Sequence, residues 1–241
     1  MDKRPIYNDG ELYDLQNAHD RYDVDFFREI ARRHGGPVLE LACGTGVLGI
    51  PIALDGHEVT GLDLSEGMLR QARKKAAGLG NIGFLQGNMC DFHLGRRFKT
   101  IFVGFNSICH LFGYGEIKGM LDCVREHLAD DGVFVLDCFI PAIGYLSRDK
   151  EKHYPVMDES GLKITETNEY DPISQVNRIK WYYEYRGERW TEDLDMRMFY
   201  PEELQNYLLA NGFAINERYG NHDFGDFGGK NRFQIYLCRK A

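Results

Sequence analysis

The stretch from Val38 to Gly49, VLELACGTGVLG, concentrates the residues best suited to hold a ligand. Gly44, Gly46 and Gly49 form a literal G-x-G-x-x-G after an apolar run, the pattern of a tight turn whose backbone approaches a nucleotide-like group. Asp63 follows seventeen residues after Gly46, at the end of the next apolar run, HEVTGLDL. A carboxylate there can accept hydrogen bonds from both hydroxyls of a ribose, so loop and acid together imply an adenosine-like ligand. The plainer alternative is a tight turn followed by a helix-capping acid. Glu40, four residues before Gly44, separates two kinds of cofactor. A pyrophosphate gains nothing from a neighbouring carboxylate, since the helix N-terminus is there to attract anions. A sulfonium cofactor with a free ammonium group can use local acid. On this reading Gly49 falls inside the next helix, and its place in the pattern is a coincidence.

Such residues need a scaffold that presents them at strand ends. DVDFFREIARRH, residues 23–34, sets Val24, Phe27, Ile30 and Ala31 on one helical face, and Gly35-Gly36-Pro37 stops it. VLELA then reads as a buried strand and VLGIPIALDG as a helix, with Pro51 tolerable only near its first turn. HEVTGLDL, IGFLQG, KTIFVGF and GVFVLDCF read as further strands. SEGMLRQARKKA, with Ser65 as N-cap, and EIKGMLDCVREHL read as helices. Strand and helix alternate at short spacing from Pro37 to Phe139, which predicts parallel strands joined by right-handed crossovers. After Pro141 the rhythm changes. LKITETNEY, QVNRIKWYYEYRG and RWTEDLDMRMFY are polar-alternating strands, with turns at Asp171-Pro172 and Gly187-Glu188. Ile179, Trp181, Tyr183 and Tyr185 share one face of the middle strand, so this insertion has one sticky side and reads as a cap. PEELQNYLLANG returns to helix, with Pro201 at its start and Gly212 at its end. FAINERYG and NRFQIYLCRK close the chain as antiparallel strands.

Composition narrows the function. Of 241 residues, 43% are hydrophobic and 13% aromatic, enough for a large core. Lys+Arg 29 against Asp+Glu 37 gives a formal charge of −8, a field that repels a phosphate backbone, so no nucleic-acid partner is expected. The cysteines Cys43, Cys90, Cys109, Cys123, Cys138 and Cys238 form no C-x-x-C, and several lie in apolar runs. They read as free thiols of a reducing compartment rather than a disulfide or zinc framework. MDKRPIYNDGELYDL has no apolar signal region, and GVFVLDCFIPAIGYL, interrupted by Asp137, is too short to span a bilayer. The expectation is a cytoplasmic protein with no membrane partner.

ELACGTG followed by GLDLSEGML resembles motif I and the downstream acidic motif of the class I S-adenosylmethionine-dependent methyltransferases. FLQGNMCDF resembles the family's GDMRDF-type segment, which wraps the adenine. Asn88 stands where the family often has Asp, making that contact an amide one. LGRRF and FNSICHL resemble the small-molecule branch, which includes amino-sugar and heterocycle N-methyltransferases. MFYPEELQNYLLANGF and ERYGN resemble that branch's closing helix and strand. ELYDL resembles a segment whose tyrosine, here Tyr13, closes over the cofactor. The match runs from about residue 7 to the end and is weakest in the insertion.

The resemblance implies an α/β fold: a doubly wound, mostly parallel, seven-stranded Rossmann-like sheet with an antiparallel β insertion as a cap. The expected organisation is a cofactor-binding core with an N-terminal lid segment over 1–140, the cap over 141–199, and a helix and strands completing the core sheet over 200–241. It also implies S-adenosylmethionine as cofactor, S-adenosylhomocysteine as product, a small-molecule methyl acceptor, and a monomer or homodimer. Gly44, Gly46 and the Ala42 backbone are expected at the methionine end, Asp63 at the ribose, and Asn88 with Met89 at the adenine. Tyr13, Glu40, Thr45, Leu64, Met68, Cys90 and Phe105 complete the expected cofactor set.

Methyl transfer from a sulfonium discharges the sulfur, so the protein mainly needs to align the acceptor and exclude water. A base matters only where the acceptor must lose a proton. His110, in FNSICHL, is the candidate base, with pocket shaping as the alternative. Asn106 either reaches the acceptor cleft or satisfies loop backbone. Tyr7 and Tyr13 either form a lid or pack on the core, and Trp181 either stacks on a planar acceptor or packs on the main domain. Arg197 either holds an anionic or carbonyl group of the substrate or pairs with an acidic neighbour. No metal is expected: Asp137 and the turn Asn221 to Asp223 are better read as a buried strand acid and a turn than as ligands. Nitrogen is preferred to oxygen as the acceptor atom. The competing readings are a non-catalytic S-adenosylmethionine-binding module, a methyltransferase acting on tRNA or protein, and an NAD-dependent oxidoreductase.

Overall fold

The computed structural model describes residues 2–3, 7–17, 23–146, 152–154 and 161–241. In chain order the elements begin β1 (Asp2–Lys3), α1 (Gly10–Gln16), α2 (Val24–His34), β2 (Val38–Leu41), α3 (Gly49–Leu54), β3 (Val59–Asp63), α4 (Glu66–Lys75), β4 (Ile82–Gln86) and β5 (Phe98–Val103). They continue with α5 (Tyr114–His127), β6 (Leu128–Phe139), α6 (Ile143–Leu146), β7 (Lys152–Tyr154), β8 (Lys163–Asp171), β9 (Val176–Tyr185) and β10 (Glu188–Arg197). Helix α7 (Pro201–Ala210), β11 (Phe213–Tyr219) and β12 (Phe233–Lys240) close the chain. A short 3₁₀ turn, Ser107–His110, follows β5.

Seven strands form the central sheet in the order β11-β12-β6-β5-β2-β3-β4. The five from β6 to β4 run parallel, while β12 is antiparallel to both β6 and β11. Alternate residues of the parallel strands feed two apolar layers, as a doubly covered sheet requires. Leu39, Leu41, Ile101, Val103, Phe134 and Leu136 face the layer that includes Ile117, Met120 and Leu121 of α5 and Leu204 and Leu208 of α7. Val38, Phe102, Val133 and Val135 face Phe26, Phe27 and Ile30 of α2 and Ile52 and Ala53 of α3. The chain winds outward from β2 to β4, returns to β5 on the other side of β2, and so creates a switch point between β2 and β5. Ligands of such sheets bind at the carboxyl ends of the strands around that point. Register aligns those ends: Leu41 pairs with both Leu62 and Val103, which brings the loops after β2, β3 and β5 level.

The second sheet has the order β1-β10-β9-β8-β7. Its three long strands are antiparallel as their alternation predicts, and β1 adds to β10 in parallel, through Asp2 opposite Trp190 and Lys3 opposite Thr191. Its apolar face, with Leu162, Ile164, Tyr183 and Trp190, packs against Leu12 and Leu15 of α1. Tyr183 stacks on Trp190 at 4.9 Å with planes 3° apart, and its hydroxyl donates to Gln16 Oε1 at 2.9 Å. The aromatic stripe therefore meets the N-terminal helix.

Candidate active site

The loop after β2 carries three left-handed residues: Ala42 at φ 55°, Gly44 at φ 53° and Gly46 at φ 75°. Gly46 is doubly constrained, because a Cβ there would also lie 2.9 Å from Ile50 Cδ1. Asp63, at the end of β3, braces this loop. Its Oδ2 accepts from the Gly44 N–H at 2.7 Å and its Oδ1 from the Ser65 N–H at 2.8 Å. Burial nevertheless pushes the Asp63 carboxyl above its ordinary range, against those two bonds. Each oxygen keeps a lone pair for a further donor.

Glu40 lies on the inner side of the same loop, 3% exposed, and burial drives its carboxyl well above the ordinary range. The Gly49 backbone N–H bonds to this carboxylate, while Glu40 Oε2 accepts no hydrogen bond. A Cβ on Gly49 would sit 2.5 Å from that oxygen. Gly49 is therefore no coincidence of pattern: only a glycine lets the Glu40 carboxylate reach the first turn of α3. A void of about 40 Å³ bounded by Glu40, Ala42, Gly44, Thr45, Phe105 and Ser107 opens beside it.

This void adjoins a cavity of about 620 Å³. Ala42, Gly44, Asp63, Leu64, Ser65 and Met68 line it at the ends of β2 and β3, and Gly87, Asn88, Met89 and Cys90 after β4. Phe105, Asn106, Ser107, His110, Leu111 and Glu116 line the far end. Tyr7, Tyr13, Gln16 and Asn17 of the N-terminal segment and Trp181, Leu194 and Met196 of the second sheet complete it.

The far end is built on a strained turn. Phe105 and Asn106 are consecutive left-handed residues, at φ 54° and 61°, a conformation that costs a side-chain-bearing residue roughly 1–2 kcal/mol. Asn106 Oδ1 accepts from the Phe139 N–H at 2.7 Å, and the Asn106 N–H points at Asp137 Oδ1, 3.4 Å away. Asn106 thus serves the loop backbone while lining the cavity. The 3₁₀ turn that it caps delivers His110, whose Nε2 lies 3.0 Å from the Tyr7 hydroxyl. Burial lowers the His110 pKa and raises that of Tyr7, so near neutral pH both are uncharged and share one proton-bearing hydrogen bond.

Helix α1 is tied down from the core side. Asp14 accepts from Thr45 Oγ1 at 2.6 Å, Gln71 Nε2 at 3.0 Å and Lys75 Nζ at 2.8 Å. Burial opposes these bonds, but they win, and the Asp14 pKa falls below its ordinary value. The Ser65 hydroxyl donates to the Tyr7 carbonyl at 2.6 Å, and Gly67 leaves room for Asn8, whose carbonyl oxygen would be 2.3 Å from a Cβ.

Residues 38–132 match the family model described as a methyltransferase domain. The chain is 29% identical over 226 residues to the dTDP-3-amino-3,6-dideoxy-alpha-D-glucopyranose N,N-dimethyltransferase of Streptomyces fradiae, covering 86% of this chain and 84% of that one. The CcbJ methyltransferase of Streptomyces caelestis superposes with a TM-score of 0.84 at 27% identity, over 93% of this chain and 98% of the other. The glycopeptide N-methyltransferase MtfA complexed with S-adenosyl-L-methionine matches at 25% identity and a TM-score of 0.63, over 90% and 87% of the two chains. The chain is a class I S-adenosylmethionine-dependent methyltransferase.

The methyltransferase gathers most of the sequence-derived candidates around one cavity. Glu40 and Thr45 reach it only through the smaller void, and Gly46 shapes the loop without lining either space. Trp181 lines the cavity while its Nε1 donates to Glu166 Oε2 at 2.9 Å. Arg197 stands apart. Its guanidinium donates to the Phe112 carbonyl and to Glu203 Oε1, each at 2.6 Å, and the described residues do not bring it to the cavity. The reading of Arg197 as a substrate contact gives way to its acidic partner in the first turn of α7.

Sequence reasoning missed Ser65, Gly87, Ser107 and Leu111 in the lining, although they lie inside the motifs quoted above, and also Gln16, Asn17, Glu116, Leu194 and Met196, which lie outside them. His93, Glu126 and His127 also cluster near the surface. There the His127 Nδ1–H donates to the Cys123 carbonyl, and Nε2 accepts from the Leu94 N–H at 2.9 Å, which occupies both ring nitrogens. A metal at this cluster would have to displace one of those bonds. Among the described residues no helix is long and apolar enough to cross a membrane.

Proposed function

We propose that this enzyme methylates the nitrogen of a small amine, an amino sugar or nitrogen heterocycle, with the cofactor between Asp63 and Asn88 and the acceptor at the Tyr7–His110 end. The observation that carries this reading is that one cavity runs from the glycine loop to His110 beneath an aromatic cap. The amino-sugar substrate named for the Streptomyces fradiae relative supports the acceptor class.

Two features fit the cofactor. A brace carboxylate with spare lone pairs, Asp63, suits the ribose hydroxyls. A buried carboxyl short of a partner beside a small void, Glu40, suits the ammonium group. S-adenosylmethionine supplies an electrophilic methyl group on a cationic sulfur. In this assignment the Ala42 and Gly44 backbone and Thr45 border the methionine end. Leu64 and Met68 flank the ribose and adenine, and Asn88, Met89 and Cys90 edge the adenine. Phe105 and Tyr13 separate cofactor from solvent. The uncharged His110–Tyr7 pair orients the acceptor nitrogen and takes the proton that it sheds, and Trp181 packs against the acceptor's face.

Calorimetric titration with S-adenosylmethionine and, separately, with NAD tests the cofactor half; micromolar binding of the former alone is expected. A screen of nucleotide-linked and free amino sugars, read by S-adenosylhomocysteine release, tests the acceptor half. Turnover confined to hydroxyl acceptors or to a protein or tRNA would overturn it.

A further inference from the structure

The loop after β11 returns His222 to the end of β6, where its side chain is 4% exposed and its Nε2 lies 2.5 Å from Asp137 Oδ2. The Asp137 side chain is 2% exposed. Around the imidazole stand the rings of Phe233 at 4.7 Å, Phe26 at 5.5 Å and Phe27 at 6.4 Å, so the pair is enclosed by hydrocarbon. A buried carboxylate must be hydrogen-bonded, and here one oxygen faces His222 while the other faces the Asn106 N–H. Asn106 in turn grips the Phe139 N–H, two residues beyond Asp137. The end of β6 and the strained turn after β5 therefore hold each other through Asp137 and Asn106, and His222 fixes the Asp137 carboxylate from behind. Neither Asp137 nor His222 lines the cavity.

We propose that His222 and Asp137 are positioning residues for methyl transfer: they hold Phe105 and Asn106 in their left-handed conformation and thereby set where His110 stands. The route is short and made of named bonds, His222 to Asp137 to the Asn106 amide, then the 3₁₀ turn that Asn106 caps. A strained turn persists only where its surroundings over-determine it, and this pair is that surrounding. The inference rests on the reading that the acceptor meets His110, but its effect on the turn does not need the acceptor.

The test compares His222→Phe, which keeps the aromatic packing and deletes the donor, with His222→Gln, whose amide can still donate to Asp137. The readouts are the affinity for S-adenosylhomocysteine by calorimetry, the His110 imidazole resonances by NMR, and melting temperature. Where the acceptor screen has found a substrate, kcat and KM are added. Expected are displaced His110 resonances, about tenfold weaker S-adenosylhomocysteine binding and about tenfold lower kcat in His222→Phe, with His222→Gln within about twofold of the parent. Should His222→Phe fail to fold, Asp137→Asn takes its place; it keeps an oxygen facing one neighbour but loses the charge, and should displace the same resonances. A lowered melting temperature with unmoved His110 resonances and unchanged ligand affinity would overturn the proposal. Displaced resonances with no amine turned over by the parent would support it and count only against the acceptor assignment.

Discussion

The Tyr7 hydroxyl lies 3.0 Å from His110 Nε2, although 103 residues separate the two in the chain. One belongs to the segment over the cavity and the other to the turn that ends β5. The cavity end proposed for the acceptor is therefore complete only while the N-terminal segment is seated, held by Asp14 on Thr45, Gln71 and Lys75 and by Ser65 on the Tyr7 carbonyl. Closing a lid this way excludes water at the moment when both ligands are aligned.

His110→Ala should lower turnover by about 100-fold or more while leaving cofactor affinity within about twofold, as measured by steady-state kinetics and calorimetry. Burial depresses the His110 pKa below 6.5, so the parent's rate should hold at neutral pH and fall only as acid reaches that lowered value. Stability follows the same sign. Between the folded and unfolded values the unfolded chain binds the extra proton, so this contribution is complete above about pH 6.5 and lost as pH falls through the folded value. A pH-independent His110→Ala rate equal to the parent's would reduce the ring to pocket shaping.

On the proposed assignment, Asp63→Ala should weaken S-adenosylmethionine binding at least about tenfold, since it removes the proposed ribose acceptor and the brace on Gly44 and Ser65 together. Titration calorimetry reads the loss directly. Unchanged affinity is incompatible with Asp63 at the ribose.

Glu40 predicts a proton count. Its carboxyl is held well above the ordinary range in the free protein, and an ammonium beside it favours the ionised form. Cofactor binding should therefore release protons, and affinity should rise as pH is raised toward the elevated value that burial gives Glu40 in the free protein. Calorimetry in buffers of different ionisation enthalpy measures the number released, which Glu40→Gln should abolish.

Gly49→Ala should destabilise the fold by about 1–3 kcal/mol, despite alanine's better helix propensity, because the new methyl meets Glu40 Oε2. Adding Glu40→Ala should restore most of that loss, whereas Glu40→Gln, of equal size, should not. Denaturant melts of the parent, the three single variants and the two doubles form two double-mutant cycles that share Gly49→Ala.

The core was legible because its signals are local and periodic. Apolar runs of strand length between helical periods predicted β2 to β6 and their crossovers, and the glycine loop with Asp63 pointed to the cavity from spacing alone. What failed to show depends on partners far away in sequence. Asp14, beside Tyr13 in ELYDL, and Gln16 gave no sign of their partners, yet one latches α1 to the core and the other to Tyr183. Gly49 looked accidental because nothing in the sequence says that the Glu40 carboxylate turns toward it. Arg197 had acidic neighbours in sequence but chose Glu203 on the next helix. Asp137 and His222 each read as ordinary, a strand acid and a turn, and only the fold joins them.

Strand β1 pairs with Trp190 and Thr191, 188 residues later in the chain. On the ribosome that partner strand is made long after the glycine loop and the central parallel strands have emerged. Contacts of such separation form late, once earlier elements have closed most of the intervening loop. The nascent chain can thus make its cofactor shelf early, its roof only with β8 to β10, and the antiparallel edge of the central sheet, β11 and β12, later still. A chain halted after β6 therefore holds the parallel strands of the shelf with neither the roof above them nor the last core segments that close the sheet.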